Sequence, residues 1–199
     1  MNKRFKNKEP EIKKLIITLI IGGIGGLVFA GAFASFVQHS NTLDFCISCH
    51  EMRSTVYEEY TETVHFKNAS GVRARCSDCH VVHDNWIAMV GFKVGATKEL
   101  LSHFMGKVDT KEKFEAKRVE MAKNVWALME RTDSRECRHC HKRSAMVLEE
   151  QANRARVQHE DAEKEGQTCI DCHKGIAHKP VHKELEKEQE ESGDQSFTL

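Results

Sequence analysis

The sequence has little apolar and aromatic material for a chain of its length. Only 7% of its 199 residues are aromatic and 40% are apolar. Because the stability of a folded domain comes mainly from buried apolar area, these residues alone predict a thin core. We therefore expect bound groups to supply apolar volume and the chain without them to fold poorly.

The sequence also lacks net charge. Its 30 lysines and arginines balance 30 aspartates and glutamates, so no global positive field favours binding of nucleic acid. The charges are unevenly placed, however, with a basic segment at 1–14 and an acidic one at 183–199. We expect the acidic tail, which is poor in apolar residues, to be disordered.

No cysteine stands alone in the sequence. All eight lie in four Cys-x-x-Cys-His motifs, the pattern that attaches c-type haem. Two thiols on one turn can form thioether bonds to the haem vinyl groups, and the next histidine can reach the iron. The sequence thus predicts four covalent haems, with attachment by Cys46, Cys49, Cys76, Cys79, Cys137, Cys140, Cys169 and Cys172 and proximal ligation by His50, His80, His141 and His173.

Zinc is the main alternative for these cysteines. A zinc ribbon usually places its second Cys-x-x-Cys pair about 15–20 residues after the first. Here the pairs start at 46, 76, 137 and 169, so successive starts are 30, 61 and 32 residues apart. A histidine follows every pair, which a zinc ribbon does not need, and haem attachment leaves no thiol for disulfides. Haem is therefore favoured, with no metal other than its iron.

A run of 23 residues without charge extends from Leu15 to Val37. It is long enough to span a bilayer, and the basic segment before it predicts a cytoplasmic N-terminus. A cleaved signal peptide is the alternative, and Ala32-Phe33-Ala34 offers a cleavage pattern. Because the apolar region of a signal peptide is only about 7–15 residues long, we expect a retained single-pass anchor in a bacterial inner membrane.

The predicted fold is mainly α-helical with much irregular structure. Its expected segments are a cytoplasmic 1–14, an anchor 15–37, a periplasmic tetrahaem domain 38–182 and the tail 183–199. Gly22 and Gly26 have the spacing of a close helix contact, which would suit a homodimer. We expect glycines to interrupt any helix between Trp86 and Met105, whereas apolar spacing predicts a helix over 111–131.

The motifs form an internal repeat, with halves at about 46–83 and 137–178. In each half a lone histidine lies between two motifs and another follows the second, which predicts a duplicated two-haem unit. Because His83 is too close to His80 to reach round the same macrocycle, we expect ligands to cross between haems. The candidates for the second axial position are His65, His83, His159 and His178.

These residues together resemble the NapC/NirT family of membrane-anchored tetrahaem cytochromes, which includes the NrfH type. The resemblance extends from the anchor to about Pro180 and is strongest over 70–83 and 166–178. Asp109-Thr110 followed by 113–116 is similar to the NapC branch. The resemblance implies that the chain takes electrons from membrane quinol, menaquinol or ubiquinol, and passes them to a periplasmic reductase, with a nitrate reductase fitting best.

The resemblance also implies roles for individual residues. It matches the four extra histidines to distal ligands, and Met52 to a methionine that ligates the first haem in the NrfH type. Either Met52 or His50 can then serve that haem. Lys93 and Glu99 match a lysine and an acidic residue near the quinol site, where they can hold a quinol oxygen and accept a proton.

Two other classes of function stay open at this stage. The chain could be a haem-based reductase with its own small substrate, which would need an open iron site and a substrate pocket. It could also be a passive anchor that carries electrons for a soluble cytochrome. Turnover of quinol by the purified protein separates the quinol dehydrogenase from the passive anchor, and reduction of nitrite without a partner would support the reductase.

We predict that the mature protein carries four haems on the uncleaved chain. Mass spectrometry should show four haem additions, because every cysteine lies in an attachment motif. Two or three additions, or bound zinc, would contradict this prediction. A mass that lacks residues 1–34 would instead show that the anchor is cleaved.

Overall fold

The structure is a computed structural model that describes residues 9–187. In this range the chain is mainly α-helical, with irregular connections and no strand, which confirms the predicted fold class. It divides into two compact units between Thr42 and Leu43. Residues 1–8 of the predicted cytoplasmic segment and 188–199 of the predicted tail lie outside the described residues.

The first unit is built on one long helix, α1 (Glu9–His39). Within it, residues 11–39 are long and apolar enough to cross a membrane, with a mean hydropathy of 2.3 for the most apolar window. Apart from Val37, which is buried near its end, most of its apolar side chains are exposed, as expected for a helix that faces lipid rather than a protein core. Gly22 and Gly26 face open space, and the homodimer stays a prediction.

The second unit, which we call the motif unit, contains three long helices and several short ones. The long helices are α6 (Trp86–Phe104), α7 (Lys111–Arg131) and α9 (Asn153–Glu165). The short helices are α2 (Leu43–Cys46), α3 (His50–Met52), α4 (Glu58–Thr61), α5 (Cys76–His80), α8 (Arg135–Cys140) and α10 (Cys169–Cys172). A π-helical turn at Arg53–Tyr57 joins α3 to α4, and two 3₁₀ turns (Arg143–Ala145 and Leu148–Glu150) precede α9.

Helix α6 is continuous, so the predicted interruption by glycines is wrong. Gly91 and Gly95 each weaken a helix by about 1 kcal/mol relative to alanine, but they do not break it. The Asn85 side chain caps the first turn by accepting the backbone N–H of Ala88 at 2.8 Å. Gly106, with a φ of +69°, allows the chain to turn away after the last helical residue.

Helix α7 matches the helix predicted over 111–131, and it carries the main ion cluster of the motif unit. The Arg118 side chain is only 8% exposed. It donates to both oxygens of Glu59 at 2.8 and 2.9 Å and to both oxygens of Glu115 at 2.7 Å. Glu59 also accepts the backbone N–H of Lys179 at 2.8 Å. The cluster therefore ties α7 to α4 and to the segment after the fourth motif.

The apolar core of the motif unit is as thin as the composition predicts. Among the described residues of this unit, the buried apolar side chains are Tyr60, Met89, Ala162, Ile170 and Val181. The Tyr60 hydroxyl donates to the carbonyl oxygens of His65 and Ala74, and burial, with nearby thiols, raises the pKa of Tyr60 to about 12. So few buried side chains leave room for large apolar cofactors.

We predict that Arg118→Ala destabilises the protein, because it leaves the part-exposed carboxylates of Glu59 and Glu115 close together without a counter-charge. Losing hydrogen bonds to charged groups costs about 2 kcal/mol, which in a unit of this size lowers Tm by roughly 4–8 °C. Thermal unfolding followed by far-UV circular dichroism measures the change. Arg154→Ala, at an exposed position of α9, is the matched control and should leave Tm within experimental error; equal shifts would contradict the prediction.

Candidate haem sites

Each Cys-x-x-Cys-His motif lies on or beside one short helical turn. In the second motif, the Asp78 carboxylate accepts the backbone N–H of Arg75 at 2.7 Å, and in the fourth the Asp171 carboxylate accepts that of Thr168 at 2.6 Å. These identical caps stabilise α5 and α10, which present both cysteines of their motifs. The first motif differs, because Cys46 ends α2 and the chain turns before α3 begins.

The cysteine thiols follow one another through the motif unit in chain order. A hydrogen bond from Cys76 lowers the pKa of the Cys46 thiol to about 7 and raises the pKa of Cys76. Burial raises the pKa of Cys79 to about 11, and the nearby Cys137 adds to this. Cys169 in turn lies close enough to Cys137 to raise its pKa after burial. The first motif is therefore next to the second, the second next to the third, and the third next to the fourth.

In three motifs, the final histidine lies close to one of the predicted distal histidines, at a ring spacing that would admit one metal ion. The ring centres are 6.0 Å apart for His80 and His178, 6.2 Å for His65 and His141, and 6.0 Å for His159 and His173. An imidazole nitrogen binds a transition metal at about 2 Å, so two rings on opposite sides of one metal have centres about 6 Å apart. Each pair has the spacing needed to hold one haem iron between its rings.

Two of these three pairs join residues from different halves of the sequence. His178 lies after the fourth motif and faces the second, while His65 lies before the second motif and faces the third. Only His159 faces a motif of its own half, the fourth. Ligation that crosses between haems and the duplication of a two-haem unit both stay predictions.

The cavity at the second motif tests whether these residues fit a haem. It is lined by the thiols of Cys46 and Cys76, by Met52 and by apolar side chains, with His80 and His178 opposite each other. The His80 residue is exposed, and it borders this cavity. Desolvation by the neighbouring protein atoms, and after it His178, lowers the pKa of His80. The ring is therefore neutral at pH 7, the form that binds a metal, and the residues fit the group.

The first motif lies beside Glu51 and His103. The exposed His50 ring lies 5.8 Å from the ring of His103 on α6. The buried Glu51 carboxylate lies between them, 3.0 Å from His50 Nε2 and 2.6 Å from His103 Nδ1. Met52 lines the cavity shared with the second motif. Sequence reasoning missed Glu51 and His103; the only signal for them was a histidine left without a role.

The structure does not bring His83 next to the final histidine of any motif. Its ring is 6.1 Å from that of His139, the residue inside the third motif, and its Nε2 lies 2.9 Å from the Ser77 carbonyl oxygen. A charged depression surrounds this pair and includes Arg135 and Arg138. Ligation of iron by His83 stays a prediction.

The predicted quinol residues lie on one helix but face different directions. Lys93 on α6 is close enough to the first motif for Cys46 to act on its pKa, which burial lowers and Cys46 opposes. Glu99 is exposed, and its carboxylate lies 3.8 Å from Lys98 Nζ. Six residues correspond to a rotation of about 600°, which is about 120° short of two full turns, so of these two residues only Lys93 lies at the first motif.

A long apolar helix followed by four consecutive haem-attachment motifs defines a membrane-anchored multihaem c-type cytochrome. Comparison with known families gives a match to the model of the NapC/NirT cytochrome c family, N-terminal region, over residues 8–183. The chain belongs to this family, which confirms the resemblance seen in the sequence.

Individual relatives agree with this assignment. The chain is 52% identical over 180 residues to the cytochrome c-type protein NapC of Escherichia coli strain K12, covering 90% of both chains. It is 52% identical over 160 residues to the denitrification system component NirT of Stutzerimonas stutzeri, covering 80% of this chain and 79% of the relative. A putative tetraheme cytochrome-c type protein of Allochromatium vinosum is 49% identical over 155 residues, with coverage of 78% and 83%. No solved structure matches.

Proposed function

We propose that the chain oxidises membrane quinol and passes the electrons through four haems to a periplasmic reductase. When bound, each haem iron accepts and releases one electron at a time. The eight cysteines would hold the four groups, and His80, His141 and His173 would each bind one iron. His178, His65 and His159, respectively, would supply the second histidine ligand, and the ring spacing supports this assignment.

The observation that carries the proposal is the chain-order contact of the motifs. The backbone N–H of Ile170 in the fourth motif donates to Ser134 Oγ, just before the third motif, at 3.1 Å. Helix α2 contacts α5, and α5 contacts α8. Such a series suits a relay that receives electrons at the first motif and delivers them at the fourth.

Lys93 supports entry of electrons at the first motif. Its partly buried ammonium group lies near Cys46, where it can donate a hydrogen bond to a quinol oxygen. Glu99 lies six residues further along α6 and is the predicted proton acceptor. Because only Ser40–Thr42 separate α1 from α2, the first motif can reach a lipid-soluble quinol at the membrane surface.

We also propose the orientation of the chain in the membrane and the class of protein that accepts its electrons. The basic segment before α1 favours a cytoplasmic N-terminus and a periplasmic motif unit. The relative NirT is described as a denitrification system component, and the resemblance to the NapC branch favours a nitrate reductase as the acceptor. A reductase that co-purifies with the chain would identify this partner.

We predict that His65→Ala, His159→Ala and His178→Ala each convert one low-spin haem to high spin, because each removes one axial ligand. Electron paramagnetic resonance of the oxidised protein measures the high-spin signal. His182→Ala, whose ring lies against Trp126 rather than a motif histidine, is the control and should leave the spectrum unchanged. Three unchanged spectra would disprove the assignment; the same measurement on His83→Ala tests its predicted ligation.

We predict that Lys93→Met slows reduction of the haems by a quinol analogue about 10- to 100-fold, since a hydrogen bond to a charged group contributes about 1.5–3 kcal/mol. Glu99→Gln should also slow it by removing a proton acceptor. Stopped-flow absorbance measures the rates. Dithionite reduction and haem content should not change.

The control for Lys93 is Lys123→Met on α7, which removes an equal charge at an exposed position away from α6. It should reduce at the wild-type rate. If Lys93→Met and Glu99→Gln also behave like the wild type, quinol binds elsewhere.

A further inference from the structure

Helix α6 carries an apolar stripe on its exposed side, interrupted by one charged residue, Lys98. Positions 87, 94 and 101 are seven residues apart and so lie on one face, with 104 and 105 beside it. The stripe extends about 27 Å along the helix. Its side chains and exposed fractions are Ile87 82%, Val94 65%, Leu101 57%, Phe104 75% and Met105 60%. Exposed apolar surface of this extent is typical of a binding face.

The other sides of α6 have a different character. Met89 is buried, and Phe92 and His103 are half-buried on the face that packs onto the motif unit. Of the exposed charged residues, Lys98 lies within the stripe, four residues after Val94 and three before Leu101, and Glu99 lies to one side of it. The helix thus has one inner face and one exposed, mainly apolar face that contains a single lysine.

We propose that α6 lies in the membrane interface, with its apolar stripe inserted at the boundary between lipid headgroups and acyl chains. Three residues, Ser40–Thr42, connect α1 to the motif unit and span at most about 11 Å. This short tether keeps the start of the motif unit at the bilayer surface. Lys98 and Lys107, on and just after α6, can reach anionic headgroups while the stripe contacts lipid.

An interfacial position of α6 extends the proposed function. It depends on that proposal only for the membrane anchor. It would hold Lys93 at the depth where the quinol headgroup enters from the lipid. It also predicts that the chain contacts the bilayer in two places, through a spanning helix and an interfacial one. The lipid contact can be measured without turnover, so its failure is distinguishable from failure of quinol oxidation.

The test uses the haem-loaded full chain, one copy per nanodisc, in phosphatidylcholine and phosphatidylglycerol. A small fraction of the phosphatidylcholine carries a photoreactive diazirine near the glycerol end of one acyl chain. After illumination, mass spectrometry of the digested protein should find lipid adducts on the peptides of α6 as well as α1. The peptide with Val157, an exposed apolar residue of α9 (45% exposed), should carry several-fold fewer adducts.

A double variant, Val94→Glu with Leu101→Glu, should lower the adduct yield on α6 several-fold and leave that on α1 unchanged. Val157→Glu is the matched control and should change neither yield. Haem content reports whether the variants fold. The proposal is overturned if adducts occur on α1 alone, or on α6 no more often than on α9; adducts on α6 that need two copies per nanodisc would assign the stripe to a second chain instead.

Discussion

The motif unit is organised around pairs of histidine rings that lie far enough apart to admit one metal ion between them. The ring centres of three such pairs are 6.0–6.2 Å apart, and two pairs connect residues that are far apart in the chain. Five buried apolar side chains in the described part of this unit form too small a core to impose such contacts. We therefore infer that the pairs, closed by iron, supply much of the long-range order, with the Arg118 cluster as the main ionic support.

This constraint also explains how one small unit can work as a relay. When each ligand comes from a segment next to another motif, neighbouring sites must lie close together. The contacts of α2 with α5 and of α5 with α8 show this closeness of the motifs. The first motif is the exception, because its surroundings come from α6, which brings Lys93, His103 and the apolar stripe to one end of the series. We propose that this end receives electrons for that reason.

Local patterns in the sequence predicted local structure well. The uncharged run lies within α1, the apolar spacing over 111–131 matches α7 residue for residue, and the four motifs fall on short helical turns. The prediction that glycines interrupt α6 was wrong, because it considered each glycine locally. The helix continues through Gly91 and Gly95. The sequence could not show which histidines face each other, because His65 and His141 are 76 positions apart. The burial of Glu51 beside His103 likewise depends on how α6 packs, which no spacing reveals.

The most direct test of the pairing is an experimental structure of the haem-loaded chain, by crystallography or cryo-electron microscopy, at a resolution that shows axial ligands. We expect iron between His80 and His178, between His65 and His141, and between His159 and His173. An iron at His80 with any axial partner other than His178, or a similar exchange at His141 or His173, would contradict the pairing and the order of sites built on it.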